Sequence, residues 1–257
     1  MEIDKIYNMD CLEGMKNIPD GSIDAIICDL PYGTTACAWD SIIPFDQLWE
    51  QYKRIIKPQG SVLLFGSEPF STIQRMSNLG WFKYDWIWQK NRPTGFQHAM
   101  NMPLKDYEVI SVFSPASMGH ASLLGDRRMI YNPQGIKECG KAWKQSVSKF
   151  GTIVGVRKSH KSTGIQEFTD YPTATLKFDK DPDSFHPTQK PVDLLRYLIR
   201  TYSNEGNTIL DNCMGSGTTA VACIKEKRHF IGFELNKQYY DKACQRIDAE
   251  QRQLSLF

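Results

Sequence analysis

The chain has 257 residues, 41% hydrophobic and 23% charged, with a formal net charge of +2. That length suits one large α/β domain or two small ones, and it buries roughly 70–75% of the unfolded surface without disulfide or metal staples. The composition is near the globular average, which excludes dominant disorder, and no apolar run approaches the ~18–20 residues of a membrane span.

The first residues, Met1-Glu2-Ile3-Asp4-Lys5, carry acids where a signal peptide has basic residues followed by an apolar stretch, so a cytoplasmic protein is expected. Read onward, 23–29, 61–66, 84–88 and 108–113 are short β-like runs bounded by Gly, Pro or Ser. Between them, 45–57 and 70–79 have helical periodicity, the first stopped before Pro58. From 115 to 185 the alternation fails in favour of a polar, basic, Gly- and Ser-rich stretch, too long for an ordinary loop and read as an inserted module. It then resumes: Leu194, Leu195, Leu198, Ile199 and Tyr202 share one face of a helix over 193–202, followed by strand 208–211, helix 218–225, strand 230–234 and a helix from Lys237. Alternating β and α segments with nearly continuous apolar strands predict a doubly wound α/β domain with a mostly parallel sheet.

Seven cysteines, at 11, 28, 37, 139, 213, 223 and 244, form no C-x-x-C pair, which removes support for a zinc ribbon, a zinc deaminase or a thioredoxin-type site. No metal is expected, and the thiols read as reduced. The charge is unevenly spread. Between Arg127 and Lys161 nine Lys/Arg face one acid, Glu138, a window of +8 that leaves −6 elsewhere. Tyr131, Trp143, Phe150 and several glycines interleave with these charges. One basic segment in a nearly neutral chain suits a polyanion bound at one place. Arg127, Arg128, Arg157, Lys158 and Lys161 are its candidate contacts to phosphates or base edges.

Three constellations carry chemistry. Asp29-Leu30-Pro31-Tyr32 ends a predicted strand. The Asp29 carboxylate and the Leu30 carbonyl can each accept an N–H of a flat amine-bearing ring, with Tyr32 as a stacking surface. His186-Pro187-Thr188-Gln189-Lys190-Pro191 gathers polar groups just before a helix. Between a strand and a helix, Gly215, Gly217 and Ala220 satisfy G-x-G-x-x-A, a turn that lets backbone approach a ligand closely. Glu234 follows at the end of the next strand, where an acid accepts hydrogen bonds from ribose hydroxyls. A fourth pattern, Gly135 to Ala142, mimics a phosphate loop but has Ala142 in place of the Mg²⁺-holding hydroxyl and no strand leading in, so it is rejected.

Together the three constellations resemble the amino-methylating DNA methyltransferases that use S-adenosylmethionine, in the subgroup whose catalytic motif precedes its cofactor motif. Residues 29–32 are similar to that family's D-P-P-Y, residues 211–219 to its D-P-F-x-G-S-G-T-T, and residues 186–191 are identical to its H-P-T-Q-K-P. Ile87-Trp88-Gln89-Lys90 resembles an element beside the target-base pocket, and Asp10-Cys11 the acid that contacts the cofactor adenine. The resemblance implies a Rossmann-like methyltransferase domain of 1–114 and 186–257, with a target-recognition region inserted at 115–185. It implies catalytic roles for Asp29, Leu30, Pro31 and Tyr32, and target-base contacts from Trp88 and Lys90. For the cofactor it implies Asp10, Cys11, Asp29, His186, Thr188, Gln189, Lys190, Asp211, Met214, Gly215, Ser216, Gly217, Thr218, Thr219, Glu234 and Leu235. Double-stranded DNA is the implied partner, with a second copy of the chain and a cognate restriction endonuclease as further candidates.

The sequence departs from the family at three places. Leu30 replaces the first Pro, where the role belongs to the backbone carbonyl. Asn212 and Cys213 replace Pro-Phe, removing an aromatic beside the cofactor. Asp106-Tyr107-Glu108 stands where relatives often have His-x-Glu or Ser-x-Glu. Within this family an Asp at position 29 goes mostly with N6 of adenine, so N6-methyladenine is the expected product and N4-methylcytosine the alternative. No Pro-Cys dipeptide is present to support attack on ring carbon 5 of cytosine. A protein-glutamine methyltransferase would want Asn at position 29. A nicotinamide-dependent oxidoreductase would share only the glycine turn, and a catalytically dead DNA-binding protein would not need three intact motifs.

Overall fold

The structure is a computed structural model that describes residues 1–33, 41–119, 121–144, 163–182, 185–186 and 188–254. In chain order the elements are β1 (Lys5–Tyr7), α1 (Cys11–Met15), β2 (Ile23–Cys28), α2 (Phe45–Ile55), β3 (Ile56–Gly66), α3 (Phe70–Met76), β4 (Phe82–Thr94) and β5 (Lys105–Phe113). They continue with α4 (Ala121–Leu124), β6 (Lys137–Lys144), β7 (Thr163–Thr169), β8 (Thr175–Lys177), α5 (Val192–Tyr202), β9 (Thr208–Asp211), α6 (Thr218–Lys225), β10 (His229–Phe233) and α7 (Lys237–Leu254).

Eight strands form one sheet in the order β1-β10-β9-β2-β3-β5-β4-β8. Neighbours pair in parallel except at β5, which is antiparallel to both β3 and β4. The central strand β2 shows why the sheet is covered on both faces. Its side chains alternate in direction, and all six residues are buried. Ala25 and Ile27 pack in a cluster with Leu195 and Leu198 of α5, while Ile26 and Cys28 pack in a second cluster with Leu48 and Tyr52 of α2. Helix α2 forms because Leu48, Trp49, Tyr52 and Ile55 recur at helical spacing. Asp46 in its first turn and Lys53 and Arg54 in its last turn match the helix dipole. It gives way directly to β3 because Pro58 disfavours helix at the residue before it.

The chain divides into two compact units, residues 1–132 with 174–257, and residues 133–173. The separate unit is thus shorter than the 115–185 read from the sequence. The segment before it belongs to the first unit, tied to it through Ile130 N–H to Gln59 O (3.2 Å) and Asn132 N–H to Thr201 O (2.7 Å). The segment after it adds β8 to β4. A three-residue edge strand is too short to display a period, which is why sequence patterning absorbed it into the polar stretch. The second unit, taken by itself, is an antiparallel β6–β7 hairpin with Trp143 lying over Gly164 and a surface ion pair between Lys137 and Asp170. Among the described residues no helix is long and apolar enough to cross a membrane.

Candidate active site

Order in the sheet dictates where a site belongs. From the β2/β9 pair, β3 lies to one side and β10 to the other, so the two connections diverge and leave a crevice at the carboxyl ends of the strands. A cavity of about 390 Å³ lies there. Its walls bring together the three sequence motifs: Asp29 to Tyr32 after β2, residues 211–216 with 218 and 219 between β9 and α6, and His186 with 188–190 before α5. Gly217, expected among the cofactor residues, is not in the wall and packs against Ala243.

On one side is the turn after β9. Gly215 and Gly217 have φ of +53° and +77°, the left-handed region that favours glycine. The Asp211 carboxylate folds the turn on itself, accepting from Cys213 N–H (3.1 Å) and Thr219 Oγ1 (2.5 Å). Burial pushes its pKa up to about 6. Asp211 thus shapes the turn with both oxygens while lining the cavity. Glu234, just past β10, accepts from Gly215 N–H (2.8 Å) and Asn236 N–H (2.7 Å), leaving a lone pair on each oxygen toward the cavity it lines. Burial raises its pKa. Asp10 caps α1 through Leu12 N–H (2.8 Å) and Glu13 N–H (3.2 Å), and Cys11 and Leu235 also line the cavity. At the departed position 212, Asn212 accepts from the Tyr52 hydroxyl at 2.5 Å and lies within 3.7 Å of Cys11 Sγ, so the substitution is absorbed by buried polar partners.

On the other side, the Asp29 carboxylate is held at both oxygens: Tyr32 Oη donates to Oδ1 at 2.7 Å and Lys190 Nζ to Oδ2 at 2.5 Å. Lys190 Nζ also lies 3.1 Å from Glu108, whose other oxygen is 2.5 Å from Lys90 Nζ. The result is a buried chain of alternating charge, Asp29–Lys190–Glu108–Lys90. Burial would raise the Glu108 pKa, but the two ammonium groups outweigh it and bring the carboxyl down to about 2. Burial would likewise lower Lys190, but Asp29 and Glu108 hold it above the ordinary lysine range. Asp29 shares one ammonium with Glu108, and burial together with the Glu108 charge leaves its pKa raised. Lys190, expected among the cofactor residues, lines the cavity and gives its ammonium to the Asp29 carboxylate. The sequence assigns Glu108 no role, and its motif-like place in 106–108 is the available signal.

A second missed network fixes the 186–190 segment. Asp181 accepts from Val192 N–H at 3.3 Å and pairs with Arg246 at 3.6 Å. Arg246 in turn donates to Ser216 O (3.1 Å) and Thr218 Oγ1 (2.9 Å). Asp181 also lies 3.5 Å from the Gln189 amide. His186 packs edge-on against Tyr239, and burial lowers its pKa to about 4, so it is neutral at pH 7. Thr188 bonds to the His186 ring, and Met214 is buried with its N–H on Phe233 O.

The remaining expectations fare differently. Tyr32 stacks one face on Phe70, with ring centroids 4.8 Å apart, so its hydroxyl and one ring face are engaged inside the protein. Trp88 lines the cavity but is only 1% exposed, and its indole N–H is bonded to Phe178 O. It is a wall of the pocket with little free stacking surface. Arg127 and Arg128 are exposed in the first unit, Arg127 ending a 3₁₀ turn over Gly125–Arg127 and Arg128 following it. Arg157, Lys158, Lys161 and Pro187 lie outside the described residues.

A doubly wound sheet with a glycine turn and an acid at adjacent strand ends, opposite a strand-terminal Asp-Leu-Pro-Tyr, defines an enzyme that brings a nucleoside-bearing cofactor to an amine. Comparison with known proteins narrows this. A sequence model of the N6/N4 methyltransferase family, described as DNA methylase, matches residues 23–245, and the chain belongs to that family. It is 28% identical over 263 residues to the Type II methyltransferase M1.MboII of Moraxella bovis, covering 95% of this chain and 96% of that protein. It is also 28% identical to the DNA adenine methyltransferase YhdJ of Escherichia coli K12, covering 96% and 83%. Among solved structures, the M1.HpyAVI–SAM complex has a TM-score of 0.59 at 24% identity, covering 94% of this chain and 98% of that one. The protein is a DNA amino-methyltransferase that uses S-adenosylmethionine.

Proposed function

We propose that the chain methylates N6 of adenine at a specific sequence in double-stranded DNA, with the roles below for its own residues. The observation that carries this is Asp29, anchored at the end of β2 by Tyr32 and Lys190, facing the cavity also walled by the Gly215 turn and Glu234. The residues fit the cofactor. Gly215 brings bare backbone to the cavity wall, Glu234 offers acceptors for ribose hydroxyls, and Asp10 stands at the adjacent strand end. S-adenosylmethionine supplies an electrophilic methyl group when bound there.

The exocyclic amine is a weak nucleophile because its lone pair is delocalised into the ring. Asp29 and the Leu30 carbonyl accept its two hydrogens and favour the pyramidal nitrogen that attack requires, a stabilisation that grows toward the transition state. Pro31 fixes the backbone angle that presents that carbonyl. Tyr32 and Lys190 orient the carboxylate, and burial of the site keeps water from competing for it. Adenine over cytosine is supported by Asp at position 29 and by the naming of the YhdJ relative; both bases offer an amine beside a ring nitrogen, so the mechanism is common to them. A cognate restriction endonuclease and a second copy of the chain are the further partners of this reading, and the cytoplasm its site of action; the Type II naming of a relative supports the first of them.

The test is to methylate unmodified DNA in vitro, digest it to nucleosides and weigh them. N6-methyladenine is expected; N4-methylcytosine alone would overturn the base and keep the mechanism, and 5-methylcytosine would overturn both. A second expected result concerns the cofactor. Glu234→Ala removes charge-assisted acceptors contributing roughly 1.5–3 kcal/mol, so S-adenosylmethionine affinity measured by calorimetry falls about tenfold or more. Unchanged affinity in a folded variant would remove the role given to Glu234.

A further inference from the structure

Beyond the cavity wall, β4 and β5 continue as a projecting hairpin. Lys90 and Thr94 of β4 line the cavity. After Thr94, which pairs with Lys105, the chain turns at Gly95 (φ +87°), makes a 3₁₀ turn over Phe96–His98 and returns. Every residue from 91 to 103 is exposed. Three of them are large and apolar: Phe96 is 77% exposed, Met100 96% and Met102 58%.

Apolar side chains left this far out of a core, together and on a structured turn, mark a contact surface. Its charge says what kind. From Asn91 to Lys105 there is no Asp or Glu. Lys90 is buried and paired with Glu108, which leaves the exposed Arg92 and the half-buried Lys105 as the cations beside the tip. The acids of the stem, Asp106 and Glu108, lie at its base, where Lys90 neutralises Glu108. The tip itself is apolar and acid-free with an exposed cation, Arg92, beside it. That complements a polyanion with an apolar interior, stacked base pairs between phosphates, better than a protein surface. The tip also begins two residues beyond a wall of the cavity that receives the target base. Extruding that base costs a few kcal/mol in lost stacking and leaves a gap in the duplex. Phe and Met are among the side chains able to enter such a gap and stack on the exposed neighbours.

We propose that Phe96 and Met100, at the tip of the β4–β5 hairpin, enter the duplex and fill the place left by the target base while that base occupies the cavity. This rests on the reading of the chain as a DNA methyltransferase acting on duplex. The test uses the full chain, wild type and Phe96→Ala/Met100→Ala, on two substrates carrying the recognised sequence: a fully paired duplex, and the same duplex with a mismatch at the target base, which lowers the cost of extrusion. The expected result for the variant is a loss of about tenfold or more in rate on the paired duplex, largely recovered on the mismatched one, with S-adenosylmethionine affinity and melting temperature unchanged. With 2-aminopurine as the target base, the fluorescence rise that reports extrusion shrinks in the variant and returns with Phe96→Leu/Met100→Leu. Full activity of the alanine variant on paired duplex, or equal losses on both substrates, overturns the wedge while leaving the methyltransferase reading intact. A wild-type chain that methylates neither substrate overturns both.

Discussion

Asp29→Ala is expected to reduce methyl transfer by about 10²–10³-fold while cofactor affinity stays within a few-fold of wild type. The carboxylate is held by Tyr32 at 2.7 Å and Lys190 at 2.5 Å, and each oxygen keeps acceptor capacity for a substrate N–H. An acceptor that meets the amine as its nitrogen becomes positive contributes far more in the transition state than in the ground state, so the loss falls on kcat rather than on binding. The cofactor contacts proposed for Glu234 and the Gly215 turn, which are bonded to each other, do not involve the Asp29 carboxylate. Single-turnover assays with calorimetry separate the two effects. Near-normal turnover would show that another group receives the amine hydrogens.

Why Asp29 was legible in the sequence, and its partners were not, follows from how each is encoded. A strand-terminal Asp-Leu-Pro-Tyr and a Gly-x-Gly turn are local: each motif needs a particular backbone at contiguous residues, and that requirement is written there. The same holds for α2, α5, α6 and β9, whose apolar periods run long enough to declare helix or strand within a residue or two of their observed ends. β1 and α1, with three and five residues, fall below the length at which a period exists, and only the Asp10 cap announces the helix. Glu108 and Lys190 are 82 positions apart in the numbering, and Asp181 and Arg246 are 65 apart; sequence shows no reason for either pair to meet. Sheet order supplies the reason. Placing the reversed strand β5 beside β3 brings Glu108 to the end of the sheet where Lys190 arrives before α5. For the same reason Trp88 was read as a base platform from its motif, although its burial and its bond to Phe178 O depend on a strand, β8, that the sequence conceals.

The charge chain behind Asp29 leads to a pair of opposite pH effects. Lys190 holds Asp29 toward its ionised form, while burial and the Glu108 charge push it the other way. Lys190→Met removes the favourable influence, so the Asp29 pKa rises further and the acid limb of the kcat profile moves to higher pH. At pH 7 the rate falls by about tenfold or more and recovers as the medium is made alkaline. The variant also leaves two buried carboxylates facing each other, and breaking such a pair costs about 3–5 kcal/mol, read as a lower melting temperature. Glu108→Gln does the reverse to Asp29. It removes a like charge and frees Lys190 for Asp29 alone, so the acid limb moves to lower pH. Stability also tracks the sign of the Glu108 shift. A carboxyl at about 2 in the fold against 4.5 unfolded contributes stability that is present above 4.5 and lost as pH falls toward 2, and the Gln variant lacks that dependence. A purely structural role for the four residues would lower activity in both variants at every pH without moving the limb. Shifts of opposite sign, with Lys190→Arg keeping the wild-type profile, are what a charge acting on Asp29 requires; shifts of one sign, or none, would leave Lys190 and Glu108 as packing groups.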